Sequence, residues 1–211
     1  MVQTSGQDML FKFVTLLPLA SILSRSTNGK CFTTKPAPGA RLRMKAGGAG
    51  RRPIIKVSWE RAQEFVEWLS RKTSKNYRLL SEAEWEYCCR AGTTTEYSTG
   101  ETLSKSQACY SSNRTAAVGT FGPNAFGLHD MHGNVWEWCE DRWHDDYANA
   151  PVDGSAWLAG GERSRIVRGG SWEEMDDEEP QKPWYLRSAV RYSYAPSTRS
   201  PMIGFRVARD L

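Results

Sequence analysis

The chain has 211 residues, of which 39% are hydrophobic and 25% charged, with a net charge of +4. That is enough for one domain with a real core, and it excludes both a membrane bundle and a fully disordered polymer. The charge is uneven: residues 1–56 hold ten Lys or Arg against the acid Asp8, and the rest of the chain is net acidic.

Residues 10–23, LFKFVTLLPLASIL, are apolar but too short, and too interrupted by Lys12 and Pro18, for a membrane span. The start MVQTSGQD lacks the basic residues of a secretion signal. The compartment stays open, with the cytoplasm preferred over export. Residues 24–52 are rich in Gly, Pro, Lys and Arg and have no periodicity. They read as linker or disorder. Residues 1–52 are therefore expected to form a basic tail, with weak attraction for nucleic acid and no specific site for it. The folded domain is expected over 53–211.

Ile54, Ile55 and Val57 form a short strand candidate, and Ser58 can cap the helix that follows. In that helix, expected over 59–71, Ala62, Phe65, Val66 and Leu69 make one apolar stripe. A second helix is expected over 82–91. Ser81 and Glu84 form a capping box, Arg90 sits in the last turn and Gly92 just beyond. Strand candidates follow at 133–138, 165–168, 186–191 and 204–208. Two helices followed by short strands and long loops indicate an α+β fold. The nine tryptophans suit a loop-rich core or a binding surface. Of five cysteines (Cys31, Cys88, Cys89, Cys109 and Cys139) none forms a CxxC pair, which leaves buried thiols as the expected state.

Asp130 and Glu137 flank a turn containing Gly133. In an extended segment after the turn, the carbonyls of Gly133 and Val135 could join both carboxylates around one hard cation such as Ca²⁺. Alternatively, Asp130 caps a turn and Glu137 is a buried, paired acid. His129, His132 and His144 lack the spacing of a metal triad, and turn packing is their expected role. In the stretch from Tyr185 to Arg199, strand alternation puts Tyr185, Arg187, Arg191 and either neighbouring tyrosine, Tyr192 or Tyr194, within reach of one surface, a composition suited to binding. Arg187 and Arg191, with Arg206, could instead be structural and paired with acids such as Glu84 or Glu137. The run Glu173–Glu179 holds six acids in seven residues. It reads as a solvated acidic loop or as an attractor for a cation or basic partner.

The segments VSWERAQEFVEWLS, RLLSEAEWEYCCRAGTTT, GLHDMHGNVWEW, RGGSW and IGFRVAR, in this order, resemble the successive signatures of the formylglycine-generating-enzyme (sulfatase-modifying factor) superfamily. The resemblance implies a variant of the C-type lectin fold with bound calcium, whose ligands fall on Asp130, Gly133, Val135 and Glu137. The family's other calcium site, at an Ala-Asn motif, carries over poorly, because Ala108 is followed here by Cys109. Active members oxidise a protein cysteine with O₂ and a copper held by two cysteines after the Gly-Gly-Ser segment. Here Gly169-Gly170-Ser171-Trp172 leads into the acidic run, and no cysteine follows Cys139. Copper is therefore not expected, and neither is oxidase activity, since carboxylates cannot replace two thiolates around Cu(I). The resemblance instead implies a calcium-stabilised, catalytically silent binding module. Its ligand, a protein or a glycan, is expected at Ser171, Trp172, Tyr185, Arg187, Arg191, Tyr192, Tyr194 and Arg199, and a monomer is expected. The alternatives are an oxidase with unconventional residues and a shortened, degenerate member, because the family's N-terminal strands have no evident counterpart in residues 1–50.

Overall fold

The computed structural model describes residues 12–14, 45–46, 51–173 and 183–210. The acidic stretch from Glu174 to Glu179 lies outside the described residues. Strands β1 (Lys12–Val14), β2 (Lys45–Ala46) and β3 (Ile54–Ile55) precede helix α1 (Trp59–Thr73). Strand β4 (Tyr77–Leu79) and helix α2 (Glu82–Arg90) follow. Five further strands complete the fold: β5 (Trp136–Arg142), β6 (Arg165–Arg168), β7 (Arg191–Tyr194), β8 (Ile203–Phe205) and β9 (Val207–Arg209). The class is α+β, as the sequence indicates.

Both helices form where their caps predict. The Ser58 side chain accepts from the Arg61 N–H at the start of α1. Ser81 and Glu84 exchange reciprocal hydrogen bonds, satisfying two of the free N–H groups that open α2. The stripe Ala62, Phe65, Val66 and Leu69 is buried.

The central sheet runs β7-β6-β5-β8, with β5 and β8 parallel and the other pairs antiparallel. Its register fixes two faces. Glu137, Arg168 and Arg191 lie opposite one another across β5, β6 and β7, and so do Trp138, Val167 and Tyr192. The tryptophan face packs under α1, with Trp136, Trp138, Phe65, Leu69 and Phe205 in one core. The opposite face packs under α2, with Trp85, Cys88, Cys89, Cys139 and Ile166. A sheet covered on both faces explains why Glu137, Arg168 and Arg206 are buried and must be paired.

Two short pairings come from before the expected domain start at 53. Lys12–Val14 pairs with β9, and Lys45–Ala46 pairs with β3. Residues 1–50, in which the sequence shows no evident counterpart of the family's N-terminal strands, contribute these two short ladders. Three other expectations shift, the first being the strand expected over 204–208, which breaks at Arg206 into β8 and β9 in different sheets. The strand expected over 133–138 begins only at Trp136, because Gly133 and Asn134 take positive φ (79° and 65°) and cannot extend a ladder. The strand expected over 186–191 begins only at Arg191, because Pro183 opens a 3₁₀ turn at Trp184–Leu186.

Gly133 has a packing reason as well as a conformational one. A Cβ there would meet the Cys109 carbonyl oxygen at 2.3 Å. Gly133→Ala is expected to cost about 1–2 kcal/mol for the left-handed backbone and about 1–3 kcal/mol for the overlap. A denaturant melt showing less than about 1 kcal/mol of loss would contradict this, since that is the cost of an ordinary substitution.

Candidate metal and ligand sites

The turn that opens at Asp130 leads into β5, which carries Glu137. Asp130 sits at φ 57° and is buried. Its Oδ2 accepts from the Gly119 N–H at 2.8 Å, whereas Oδ1 is buried without a hydrogen-bond partner among the described residues. Burial pushes the carboxyl above the usual carboxylate range, opposed by the Gly119 N–H and the Arg206 charge. The turn is anchored from both sides: Gly133 N–H donates to the Gly169 carbonyl and Asn134 N–H to the Cys109 carbonyl.

Glu137 is the buried, paired acid of the alternative reading. Its Oε2 accepts from Arg206 Nε at 2.9 Å and Trp85 Nε1 at 2.8 Å, and its Oε1 from Arg206 Nη2 at 3.0 Å. Arg206 and Glu137 are each 1% exposed. Arg206 also donates to the His129 carbonyl.

These residues fit a Ca²⁺ unequally. Asp130 offers a dry, unpartnered carboxylate oxygen, which is what a hard cation would take. Glu137 has a resident cation in Arg206 and retains at most a single-oxygen contribution. Among the described residues no group of three or more His, Cys, Asp or Glu is arranged to hold a metal, so such an ion would need backbone carbonyls.

The four described cysteines, Cys88, Cys89, Cys109 and Cys139, are all free and buried. Burial pushes the Cys88 and Cys89 thiols up to about 12 and raises Cys109 and Cys139 as well. Thiols held protonated in this way are poor nucleophiles and poor metal ligands. The histidines pack turns, as expected. His129 Nδ1 contacts the Phe121 carbonyl, and His144 stacks on Trp157 with ring centroids 3.5 Å apart. His132 bonds the Leu186 carbonyl and Ser98, and burial lowers its pKa to about 4.

The residues expected to share one ligand surface divide into two groups. Tyr192 and Tyr194 extend from β7 over Trp136 and Trp138, with ring centroids 5.2 Å apart. Trp172 is half-buried, and its Nε1 donates to the Pro201 carbonyl. Ser171 is fully buried, and its Oγ accepts from the Glu173 N–H, so it lies beneath the surface rather than on it. Arg199 is exposed in the loop after β7. The expected grouping of Arg191 with these tyrosines is corrected by the register: alternation turns it to the opposite face. There its Nε and Nη2 bind Glu82 at 2.9 Å, and its guanidinium covers Trp143 and Tyr147. Arg187 lies on that side too, over Trp184 and 3.4 Å from Glu96. Tyr185 is exposed, edge-on to Trp184.

The sequence reading missed a second buried charge network. Arg168, 0% exposed, pairs with Glu82 and Glu86 and donates to the carbonyls of Ser188, Ala189 and Val190. The available signal was weak: Glu82 and Glu86 lie four apart on α2, spacing that also suits an exposed face. The expected partner of Glu84 is corrected in the same way, to Arg78 at 2.6 Å.

Among the described residues no helix is long and apolar enough to cross a membrane. The profile of the sulfatase-modifying factor enzyme 1-like domain matches residues 14–211, and so reaches into the region expected to be a tail. The formylglycine-generating enzyme of Streptomyces coelicolor is 30% identical, over 97% of this chain and 69% of its own length. The serine/threonine-protein kinase pkn1 of Chlamydia caviae is 34% identical over 78% of this chain, which spans only 25% of the kinase. Among solved structures, PvdO from Pseudomonas aeruginosa superposes with a TM-score of 0.68 at 41% identity, covering 76% of this chain and 63% of PvdO. Treponema denticola variable protein 1 superposes with a TM-score of 0.66 at 27% identity, covering 83% and 75%. With the five motifs, the two-helix α+β fold and these likenesses together, the chain belongs to the sulfatase-modifying factor enzyme 1-like (formylglycine-generating enzyme) family.

Proposed function

We propose that the domain is a calcium-stabilised binding module of this family that does not oxidise cysteine. The observation that carries this reading is the position of its thiols. The last cysteine is Cys139, ahead of Gly169-Gly170-Ser171. Cys88, Cys89, Cys109 and Cys139 are buried and held protonated. No thiolate pair is therefore available for a soft, linear Cu(I) site after the Gly-Gly-Ser segment.

Ca²⁺ would be held by Asp130 and by the Gly133 and Val135 carbonyls, with Glu137 as a shared, Arg206-paired ligand. Its role would be to compensate the buried Asp130 charge and fix the turn. The ligand face of this proposal is the tyrosine ridge with Trp172 and Arg199. Tyr192 is 47% exposed, and its ring rests on Trp136, so it presents a rigid amphipathic surface at little entropic cost. Such a face suits a protein or a glycan.

Two measurements test the proposal. A cysteine-containing sulfatase peptide incubated with the protein, copper and O₂ should give no aldehyde. Aldehyde formation that is abolished by changing one of the cysteines would overturn the non-oxidising reading. A glycan array and a peptide library should give hits that Tyr192→Ala loses and Arg187→Gln keeps. Hits indifferent to Tyr192 would remove the ridge as the binding face.

A further inference from the structure

A cleft of about 450 Å³ opens on the side of the sheet opposite the tyrosine ridge. Its walls are the Thr94–Glu96 loop and the segment from Trp184 to Arg191. Three arginines line it, Arg90, Arg187 and Arg191, with one acid, Glu96. The acids that hold two of these arginines face elsewhere. Glu82 binds Arg191, Glu86 binds Arg90, and both line a neighbouring cavity of about 530 Å³ that meets the cleft at Arg90 and Ala189. Arg191 is held there through Nε, Nη1 and Nη2 by Glu82 and the His144 carbonyl, and Arg90 through Nε by Glu86 and through Nη1 by the Thr95 carbonyl.

Arg187 is different. Its contact with Glu96 is long, at 3.4 Å, and the side chains are 29% and 38% exposed. An ion pair of that kind contributes only about 0–1 kcal/mol, so an incoming anion displaces Glu96 at little cost. The guanidinium lies 4.8 Å from the ring centre of Trp184, which is 50% exposed. An anion held by Arg187 therefore sits next to an open aromatic surface.

The cleft is rigid. The buried Arg168 guanidinium holds the carbonyls of Ser188, Ala189 and Val190, and the Ser188 N–H donates to the Glu96 carbonyl, tying one wall to the other. A ligand would bind without first ordering these walls.

We propose that this cleft binds a small molecule bearing a carboxylate or phosphate group, with the oxyanion taken by Arg187 and Arg90 and a flat apolar body lying against Trp184. Guanidinium forks match either oxyanion through paired N–H donors. The site is separate from the tyrosine ridge and does not depend on the calcium reading.

The probes are benzoate and inorganic phosphate, each titrated calorimetrically into the full chain at low ionic strength. Both should bind in the millimolar range or tighter. Arg187→Gln should weaken both by about tenfold, the loss expected of a charge-assisted hydrogen bond. Trp184→Ala should weaken benzoate and leave phosphate unchanged, which separates an aromatic acid from a bare oxyanion. Arg163→Gln, at an exposed arginine outside the cleft and outside the tyrosine ridge, should bind both probes like the parent. A melt of each variant checks that it is folded, and Arg187→Lys, which keeps the charge, should retain part of the affinity. No heat with either probe would overturn the proposal. Equal weakening by Arg187→Gln and Arg163→Gln would also overturn it, by assigning the effect to diffuse positive charge.

Discussion

Millimolar Ca²⁺ is expected to raise the melting temperature of the full chain, and chelator to lower it. A ligand that binds only the native state stabilises it by RT ln(1+[L]/Kd), or about 2.7 kcal/mol at a hundredfold excess over Kd. For a domain of 150–250 residues each kcal/mol moves the midpoint by about 2–4 °C, so the shift should reach several degrees. Mg²⁺ should do less, because it demands tight octahedral geometry and gives up water reluctantly. Asp130→Asn is the informative variant. It keeps the side-chain volume, and its remaining oxygen can still accept from the Gly119 N–H. It removes the carboxylate whose Oδ1 is buried without a partner among the described residues. The calcium response should largely disappear. Glu137→Gln is less clean, because Glu137 is also the counter-charge of Arg206. Identical melts in calcium and chelator would leave Asp130 as a turn residue and remove the metal from the proposal.

Both helices were legible because local chemistry marks their ends. Ser58, and Ser81 with Glu84, supply the caps, and the tertiary structure leaves them in place. β6 was legible at its stated bounds, Arg165–Arg168. β5 and β7 were placed too early in the chain for an identifiable reason: β5 runs Trp136–Arg142 and not 133–138, and β7, Arg191–Tyr194, shares only Arg191 with 186–191. Gly133-Asn134 and Pro183 each impose a turn conformation that apolar alternation does not register. The expected grouping of Arg191 with a neighbouring tyrosine fails on parity and not on the shift: consecutive strand residues point to opposite faces, and the ladder sends Arg191 and Tyr192 apart. The candidate site was only half legible. A buried acid such as Glu137 announces its need for a cation, and Arg206 was among the arginines set beside it. What the sequence left open is which cation answers that need, since Arg206 lies 69 positions away and Asp130 lies in the same turn. The pairing of Arg168 with Glu82 and Glu86 depends on packing β6 against α2, which no local pattern encodes.

Breaking the Arg206–Glu137 pair should give the largest loss of stability among these variants. Both groups are 1% exposed, and Glu137 takes two hydrogen bonds from Arg206 and one from Trp85. Removing one partner leaves a charge in a site closed to water, a change that costs about 3–5 kcal/mol. Arg206→Met keeps most of the side-chain volume and strands the carboxylate, with Trp85 as its remaining donor among the bonds described. Glu137→Gln keeps the shape and strands the guanidinium, with the His129 carbonyl as a partial acceptor. Each single variant should lose several kcal/mol in a urea melt with an unchanged m-value. The double variant Glu137→Gln/Arg206→Met removes both charges together and should lose less than the sum of the singles. Contacting residues of this kind couple by about 0.5–3 kcal/mol. If either single variant stays within about 1 kcal/mol of the parent, water must reach the pair and the site is not dry. If the losses simply add, the two residues act independently. Arg206 could then not be the cation that already answers Glu137, and Glu137 would regain its full capacity as a calcium ligand.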